Sequence, residues 1–106
     1  MYARRLTMQL KPNSAGEFTK TVESQVIPTL RKQKGFRDEI VFVGPNSNEA
    51  FAISLWDAKE NAEAYNRDSY PEIARTLARV LEGTPQIHTY EVVSSTLHGN
   101  AAGARA

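Results

Sequence analysis

The chain has 106 residues, of which 41% are hydrophobic, and its formal net charge is +1. This length supports one domain with a single core. A net charge so close to zero gives no attraction to nucleic acid or to an anionic membrane surface, so neither is an expected partner. No apolar run approaches the roughly 20 residues of a membrane span, and the absence of cysteine excludes disulfides and zinc-thiolate sites.

The first residues predict a strand. Apolar and polar residues alternate over Tyr2–Leu10, which is the period of a strand with one apolar face. Arg4 and Arg5 are adjacent, so they point to opposite faces of the sheet. We expect one of them to enter a site and the other to be solvated or paired. Nothing at this end has the continuous apolar segment of a secretory signal, and we expect a cytoplasmic protein.

The next segment predicts a helix. Ser14 followed by Glu17 has the spacing of a capping box and predicts the helix start. Pro28 removes a backbone hydrogen bond, so a kink or restart is expected near Ile27. Gly35 is expected to close the helix. Its apolar stripe repeats every four residues and consists of Phe18, Val22, Val26 and Leu30.

Two further strands and a turn follow. Residues 36–44 predict a strand with one face made of Phe36, Ile40 and Phe42, and the turn is predicted at residues 45–48. Residues 49–56 then predict a third strand, so the two strands are expected to form a hairpin. In the strand at residues 36–44, the opposite face carries Val41 and Val43.

The last third of the chain predicts a broken helix and a fourth strand. Asp57 with Glu60 has capping-box spacing, and a helix is expected to run through about Tyr65. Residues 66–69 interrupt it, and it restarts at 69–72 with Pro71 in the first turn. Ile73, Leu77, Val80 and Leu81 form its apolar side, and Gly83 ends it. Residues 85–96 predict the fourth strand, and residues 97–106 a flexible tail beyond a single domain at 1–96.

The element order is strand, helix, strand, strand, helix, strand. It predicts an α+β, ferredoxin-like fold with a four-stranded antiparallel sheet and both helices on one face. Another α+β sandwich is the alternative. Since the central strands are apolar on both sides, the face without helices is expected to bind a second copy of the chain. The sequence thus predicts a homodimer through the sheet face.

Four segments carry a resemblance to a known family. They are residues 27–36 (IPTLRKQKGF), 50–56 (AFAISLW), 57–65 (DAKENAEAY) and 69–77 (SYPEIARTL). The join between a strand ending in Trp56 and the following helix resembles the antibiotic biosynthesis monooxygenase family, with similarity over about residues 2–96. The resemblance implies a dimeric α/β-barrel fold. It also implies cofactor-independent oxidation of a small aromatic or phenolic compound, with no metal and no cofactor.

The resemblance carries over few site residues. Trp56 matches both the polyketide-oxidising and the haem-degrading branches. Ala52 stands where the first branch has asparagine. Ala74 stands where the second has its iron-ligating histidine, and Arg4 lies near that branch's asparagine. A non-catalytic ligand-binding protein of the same fold is therefore the alternative function, and haem binding or degradation is a weaker one.

The candidate site residues follow from their chemistry. Trp56 offers a ring on which an aromatic substrate stacks, and His88 offers a base near neutral pH; these are the candidate catalytic residues. Each also has a purely structural interpretation, as a core indole and as a half-buried strand histidine. His98 lies in the predicted tail. The candidate pocket residues are Ala52, Ser54, Tyr65, Tyr70, Arg75 and Tyr90.

Overall fold

In a computed structural model, which describes residues 1–96, the chain forms one four-stranded antiparallel sheet with helices against it. The strands are β1 (Tyr2–Leu10), β2 (Phe36–Val43), β3 (Glu49–Trp56) and β4 (Leu81–Glu91), in the spatial order β2-β3-β1-β4. This is the predicted α+β arrangement, with β1 and β3 in the centre. The predicted tail at 97–106 lies outside the described residues.

Two helical stretches cover one face of the sheet. The first comprises α1 (Ala15–Thr21), a π-helical segment (Val22–Val26) and α2 (Ile27–Arg31), which follow one another without a break. The second comprises α3 (Lys59–Asp68) and α4 (Tyr70–Leu77), separated by Ser69. Among the described residues, no helix is long and apolar enough to cross a membrane.

The core lies between these helices and the sheet. The predicted helical stripe is buried, with Phe18 at 1% and Leu30 at 2% exposure. On the sheet side, the even-numbered positions of β1 and β3 face the helices, because paired residues of neighbouring strands share a face. Small side chains at these positions of β3 leave room for the helices to approach. The core cluster includes Leu6, Met8, Leu10, Ala50, Ala52 and Trp56.

Both predicted capping boxes are wrong. Ser14 is the residue before α1, but its hydroxyl makes no cap hydrogen bond. Ala58, and not Asp57, precedes α3, and the Asp57 carboxylate pairs with Arg37 instead of capping the helix. The chain therefore begins both helices near the predicted positions without the predicted side-chain contacts.

The expected irregularity at Pro28 is present in a different form. Pro28 lies in the first turn of α2, and the π-helical segment directly precedes it. Proline has no N–H to donate to the turn before it, so the backbone changes register there without ending the helix. The second predicted break falls at Ser69 alone, later than expected.

The predicted faces and bounds of two strands need correction. The pairing of β2 with β3 shifts register between Phe36 and Asp38, which turns Phe36 to the helix side, where it contacts Trp56. Strand β4 begins at Leu81 and not at Pro85, so Val80 and Leu81 lie beyond α4. Gly83 has a φ of 70° and lies inside β4, next to the register shift opposite β1.

The face of the sheet without helices keeps large apolar side chains in contact with solvent. Ile40 is 37%, Phe42 41% and Tyr90 48% exposed. Phe42 stacks on Phe51, with ring centroids 4.4 Å apart, and the Arg5 guanidinium lies 4.9 Å from the Phe51 ring centroid. We call this surface the open face.

A side chain at Gly35, in the turn before β2, would be strained. Its φ is 80°, and an added Cβ would lie 2.8 Å from Asn61 Cβ and closer still to the Asn61 amide. We expect Gly35→Ala to lower the free energy of unfolding by about 1–3 kcal/mol. Urea denaturation measures this. Gly16→Ala is the matched control: a Cβ there meets nothing within 4 Å, and the change is expected to stabilise α1 by about 0.5–1 kcal/mol. Equal effects of both substitutions would contradict this account.

Candidate functional site

Three polar residues form a row across the sheet on its helix side. In the strand register, Arg4 of β1 lies opposite Ser54 of β3, and Ser54 lies opposite Glu39 of β2. Paired residues share a face, so all three point toward the helices. Polar side chains are costly to bury without partners, and their surroundings therefore define what this part of the protein can do.

Arg4 is the central group of this row. The residue is buried, with only 5% of its surface exposed. One terminal nitrogen donates to Asn66 Oδ1 at 2.9 Å, and the guanidinium carbon lies 4.3 Å from the Tyr70 ring centroid and 5.2 Å from that of Tyr65. The buried Arg4 Nε has no hydrogen-bond partner. The protein thus holds a cation over two aromatic faces with one donor still free.

A cavity lies beside this row, between the sheet and the helices. The space that it leaves for a water-sized sphere is about 20 Å³, which is enough for about one water molecule. One end is polar and is formed by Arg4, Glu39, Ser54, Tyr65 and Tyr70. The remaining wall is apolar and is formed by Leu6, Met8, Phe18, Val22, Val26, Leu30, Val41, Ala52, Ile73 and Leu77.

Burial shifts the titration of the acidic groups at the polar end. It raises the pKa of Glu39 to about 8, and the Arg4 charge partly opposes this shift. It likewise raises the pKa of Tyr65 to about 12 and raises that of Tyr70. Burial also lowers the pKa of Arg4, although the neighbouring phenols and Glu39 act in the opposite direction. At neutral pH the guanidinium is therefore the dominant charge of the cavity, a setting that favours an anionic guest.

Trp56 does not line this cavity. The residue is fully buried, and its indole N–H donates to Ser54 Oγ at 2.9 Å. Tyr65 covers one side of the indole with ring centroids 5.2 Å apart, and Phe36 meets it edge-on at 5.6 Å. The structure thus leaves no indole face for a substrate to stack on, and Trp56 supports the site through Ser54 and Tyr65.

Four of the expected pocket residues do line the cavity. They are Ala52 and Ser54 on β3, Tyr65 on α3 and Tyr70 on α4. The small side chains of Ala52 and Ser54 line this space, whereas the space for a ligand was expected beside Trp56, which does not line it. The two tyrosines flank the junction of α3 and α4, and Tyr65 is buried whereas Tyr70 is half-buried.

The other three expected site residues lie elsewhere. His88 and Tyr90 are exposed on β4 and pair with Arg5 and Ala3, so they belong to the open face, on the opposite side of the sheet from the cavity. Arg75 is exposed and forms an ion pair with Glu72 on the surface of α4. The second histidine, His98, lies outside the described residues. Within one chain, none of these side chains reaches the cavity.

Sequence reasoning missed Glu39 and used Arg4 only in part. The alternation of β2 places Glu39 on the same face as Val41, which is the helix face. The signal that identifies it is a carboxylate on that face, in line with an arginine on β1. Among the described residues, no three histidine or acidic side chains cluster as metal ligands do.

The fold has close counterparts among solved structures. A monooxygenase from the ActVA-Orf6 gene of Streptomyces coelicolor, solved with nanaomycin D, superposes with a TM-score of 0.76 at 13% identity. It covers 91% of this chain and 90% of its own. The fold is that of the antibiotic biosynthesis monooxygenases. A Bordetella bronchiseptica protein assigned to these monooxygenases superposes with a TM-score of 0.74 at 14% identity, covering 87% of this chain and 96% of its own.

A third counterpart has no assigned activity. It is a Nitrosomonas europaea protein of unknown function, with a TM-score of 0.74, 14% identity, and coverage of 91% of this chain and 92% of its own. No protein-family model matches the sequence, and no curated protein matches it significantly. The expected likeness to the monooxygenases is thus confirmed in the fold, and at these identities it reaches no further than the fold.

The contact between Ser54 and Trp56 gives a direct stability test. Ser54→Ala leaves the buried indole N–H without its acceptor, which we expect to cost about 1–3 kcal/mol of unfolding free energy. In a Trp56→Phe background the N–H is absent, so the same substitution is expected to cost at least about 1 kcal/mol less. Urea denaturation of the four proteins of this cycle measures the difference. An identical cost in both backgrounds would contradict the assigned role of Ser54.

Proposed function

We propose that the protein binds a small aromatic compound with an acidic hydroxyl group in the cavity beside Arg4, and oxidises it with molecular oxygen. The observation that supports this most is the combination of an apolar wall with a buried guanidinium that has a free donor. The apolar wall suits an aromatic ring, and the guanidinium suits a phenolate oxygen.

The reaction that fits this site needs no group beyond the substrate and oxygen. A phenolate is electron-rich and passes an electron to O₂; one oxygen atom is then incorporated into the ring and the other leaves as water, giving a quinone. The protein's part is to hold the ring in a dry cavity and to stabilise the anion with Arg4. Two of the fold counterparts are oxygenases: the one solved with nanaomycin D, and a cofactor-independent oxygenase from Streptomyces nogalater. This supports the choice of chemistry.

The size of the cavity requires that it open. A space for one water molecule does not admit a ring, so side chains at its rim must move first. Tyr70 is the natural candidate, because it is half-buried at the start of α4, directly after the break at Ser69. The π-helical segment contributes Val22 and Val26 to the opposite wall, and its irregular backbone gives this wall freedom to adjust.

The same closed cavity favours a second candidate function. A protein of this fold whose cavity stays filled by its own side chains is a non-catalytic binding or assembly protein. The fully buried indole at 0% exposure supports this candidate, because the ring that the resemblance implied as a substrate platform is covered by Tyr65 and Phe36.

Oxygen consumption separates the two candidates. With a panel of hydroquinones and anthrones, we expect the protein to raise oxygen uptake above autoxidation, and Arg4→Gln to reduce this at least tenfold, since the phenolate loses its cation. Arg75→Gln, at an exposed arginine, is the control that keeps activity. Quenching of Trp56, the single tryptophan, reports binding through its contact with Tyr65. Quenching without oxygen uptake would favour a non-catalytic binding protein. If neither quenching nor oxygen uptake occurs, oxidation and ligand binding are both excluded, and the assembly role is left.

We also propose that two copies of the chain associate through their open faces. The half-exposed Ile40, Phe42 and Tyr90 form an apolar surface, and covering the part of each side chain that is still exposed contributes about 0.5–1.5 kcal/mol. On the same face the buried Arg5 Nε has no hydrogen-bond partner. A second copy would bring His88 and Tyr90 of both chains to the shared surface and would supply acceptors for Arg5.

A charge placed on the open face tests this dimer. Sedimentation of the wild-type protein at micromolar concentration is expected to give a dimer, and Phe42→Asp to give a folded monomer, because a carboxylate is costly to bury in an apolar contact. Thr19→Asp, on the exposed surface of α1, is the control that leaves the dimer intact. A wild-type monomer would refute the proposal.

A further inference from the structure

Glu39 borders two spaces of the protein. Its side chain lines the inner cavity and also lines a separate groove on the protein surface, formed with Ile27, Arg31, Phe36, Arg37 and Asp38. Strand β2 is an edge strand, and Glu39 is part of the wall of both spaces. A carboxyl group in such a wall can take a proton on one side and lose it on the other.

The charged and titratable groups around Glu39 come from five elements, its own strand among them. Within the cavity it faces Arg4 of β1, Tyr65 of α3 and Tyr70 of α4. On the groove side it neighbours Arg31 of α2 and the adjacent charged residues of its own strand. Both phenols are neutral around pH 8, since burial raises the pKa of each. Arg4 is thus the cation that an anion formed in the cavity would meet.

We propose that Glu39 is the proton acceptor of the cavity, taking the proton of a phenolic or enolic ligand and releasing it to solvent through the outer groove, while Arg4 holds the ligand's oxyanion. The ligand O–H bond breaks, its electron pair stays on the ligand oxygen, and the proton forms a new O–H bond with the Glu39 carboxylate. No oxidant takes part in this step. The proposal rests on the proposed binding function and names the residue that accepts the ligand's proton.

The proposal selects ligands by acidity. Only a ligand with a hydroxyl that ionises can leave an anion beside Arg4, so 4-nitrophenol is expected to bind at least tenfold more tightly than its methyl ether, 4-nitroanisole. The two compounds have the same ring and nearly the same shape. Equal affinity for both would show that the cavity recognises the ring alone and would overturn the proposal.

The protonation of the complex gives the decisive readout. Below the pKa of 4-nitrophenol, where the free compound is the neutral phenol, the bound compound is expected to show the visible absorption of its phenolate. The complex retains the Glu39 proton, and the pKa of Glu39 in the free protein is about 8. Phenolate affinity should therefore fall about tenfold per pH unit above that value, because binding then requires uptake of one proton. Glu39→Gln cannot lose a proton and is expected to keep its affinity in this range.

Matched variants separate this role from a structural one. Glu49→Gln, at an exposed glutamate of β3, is expected to follow the wild-type pH profile. Arg4→Lys keeps a cation and is expected to keep the phenolate absorption of the bound ligand, whereas Arg4→Gln is expected to lose it. Far-UV circular dichroism confirms that each variant is folded.

The outcomes also distinguish this proposal from the function on which it rests. If 4-nitrophenol binds as the neutral phenol, or if Glu39→Gln loses affinity above pH 8 as the wild type does, Glu39 is not the acceptor and the binding function stands. If 4-nitrophenol does not bind to the wild-type protein at all, both proposals are overturned.

Discussion

The organisation of this protein depends on one buried cation. Arg4 lies on a central strand, under the helices, where an isolated charge costs several kcal/mol. The structure compensates with the Asn66 oxygen and with the faces of Tyr65 and Tyr70, all from the second helical stretch. The break between α3 and α4 brings these residues together. The helix, the tyrosines and the polar end of the cavity are thus parts of one solution to burying a guanidinium in an apolar layer.

The two faces of the sheet differ in chemistry, because successive side chains of each strand point to opposite faces. On the helix side, even-numbered residues of β1 and β3 supply a small cavity with a polar end. On the other side, odd-numbered residues of these two strands, Arg5 among them, form the open face together with even-numbered residues of β2 and β4 such as Phe42 and Tyr90. Arg4 and Arg5 are neighbours in the chain, yet one lines the inner cavity and the other lies on the open face. Alternation in a strand is what makes this possible.

Most of the fold was predictable from the sequence, because period-two and period-four patterns report burial directly. The errors arose where an interaction with a distant part of the chain overrode the local sequence pattern. Asp57 has the spacing of a helix cap, but Arg37 binds its carboxylate. Phe36 follows the alternation of β2, but a register shift reverses its direction. Neither the ion pair nor the register shift can be recognised from a short window of sequence.

The site was less predictable than the fold, for a related reason. Trp56 and His88 were selected by chemical type, and chemical type does not tell which side of a sheet a residue faces or what covers it. Glu39 was passed over because a glutamate on an edge strand is ordinarily solvated. Its location becomes informative only when the strand order places it in line with Ser54 and Arg4.

The π-helical segment carries a consequence for how this architecture tolerates insertions and deletions. A π-turn amounts to an α-helix that has accepted one additional residue. The bulge takes up that residue, so the helix after it keeps nearly the rotational phase of a regular helix that is one residue shorter. Deleting one residue within Val22–Val26 would therefore restore regular helix and leave Leu30 on the core side. The irregular segment is thus the place in this helical stretch where a change of one residue in length is best tolerated.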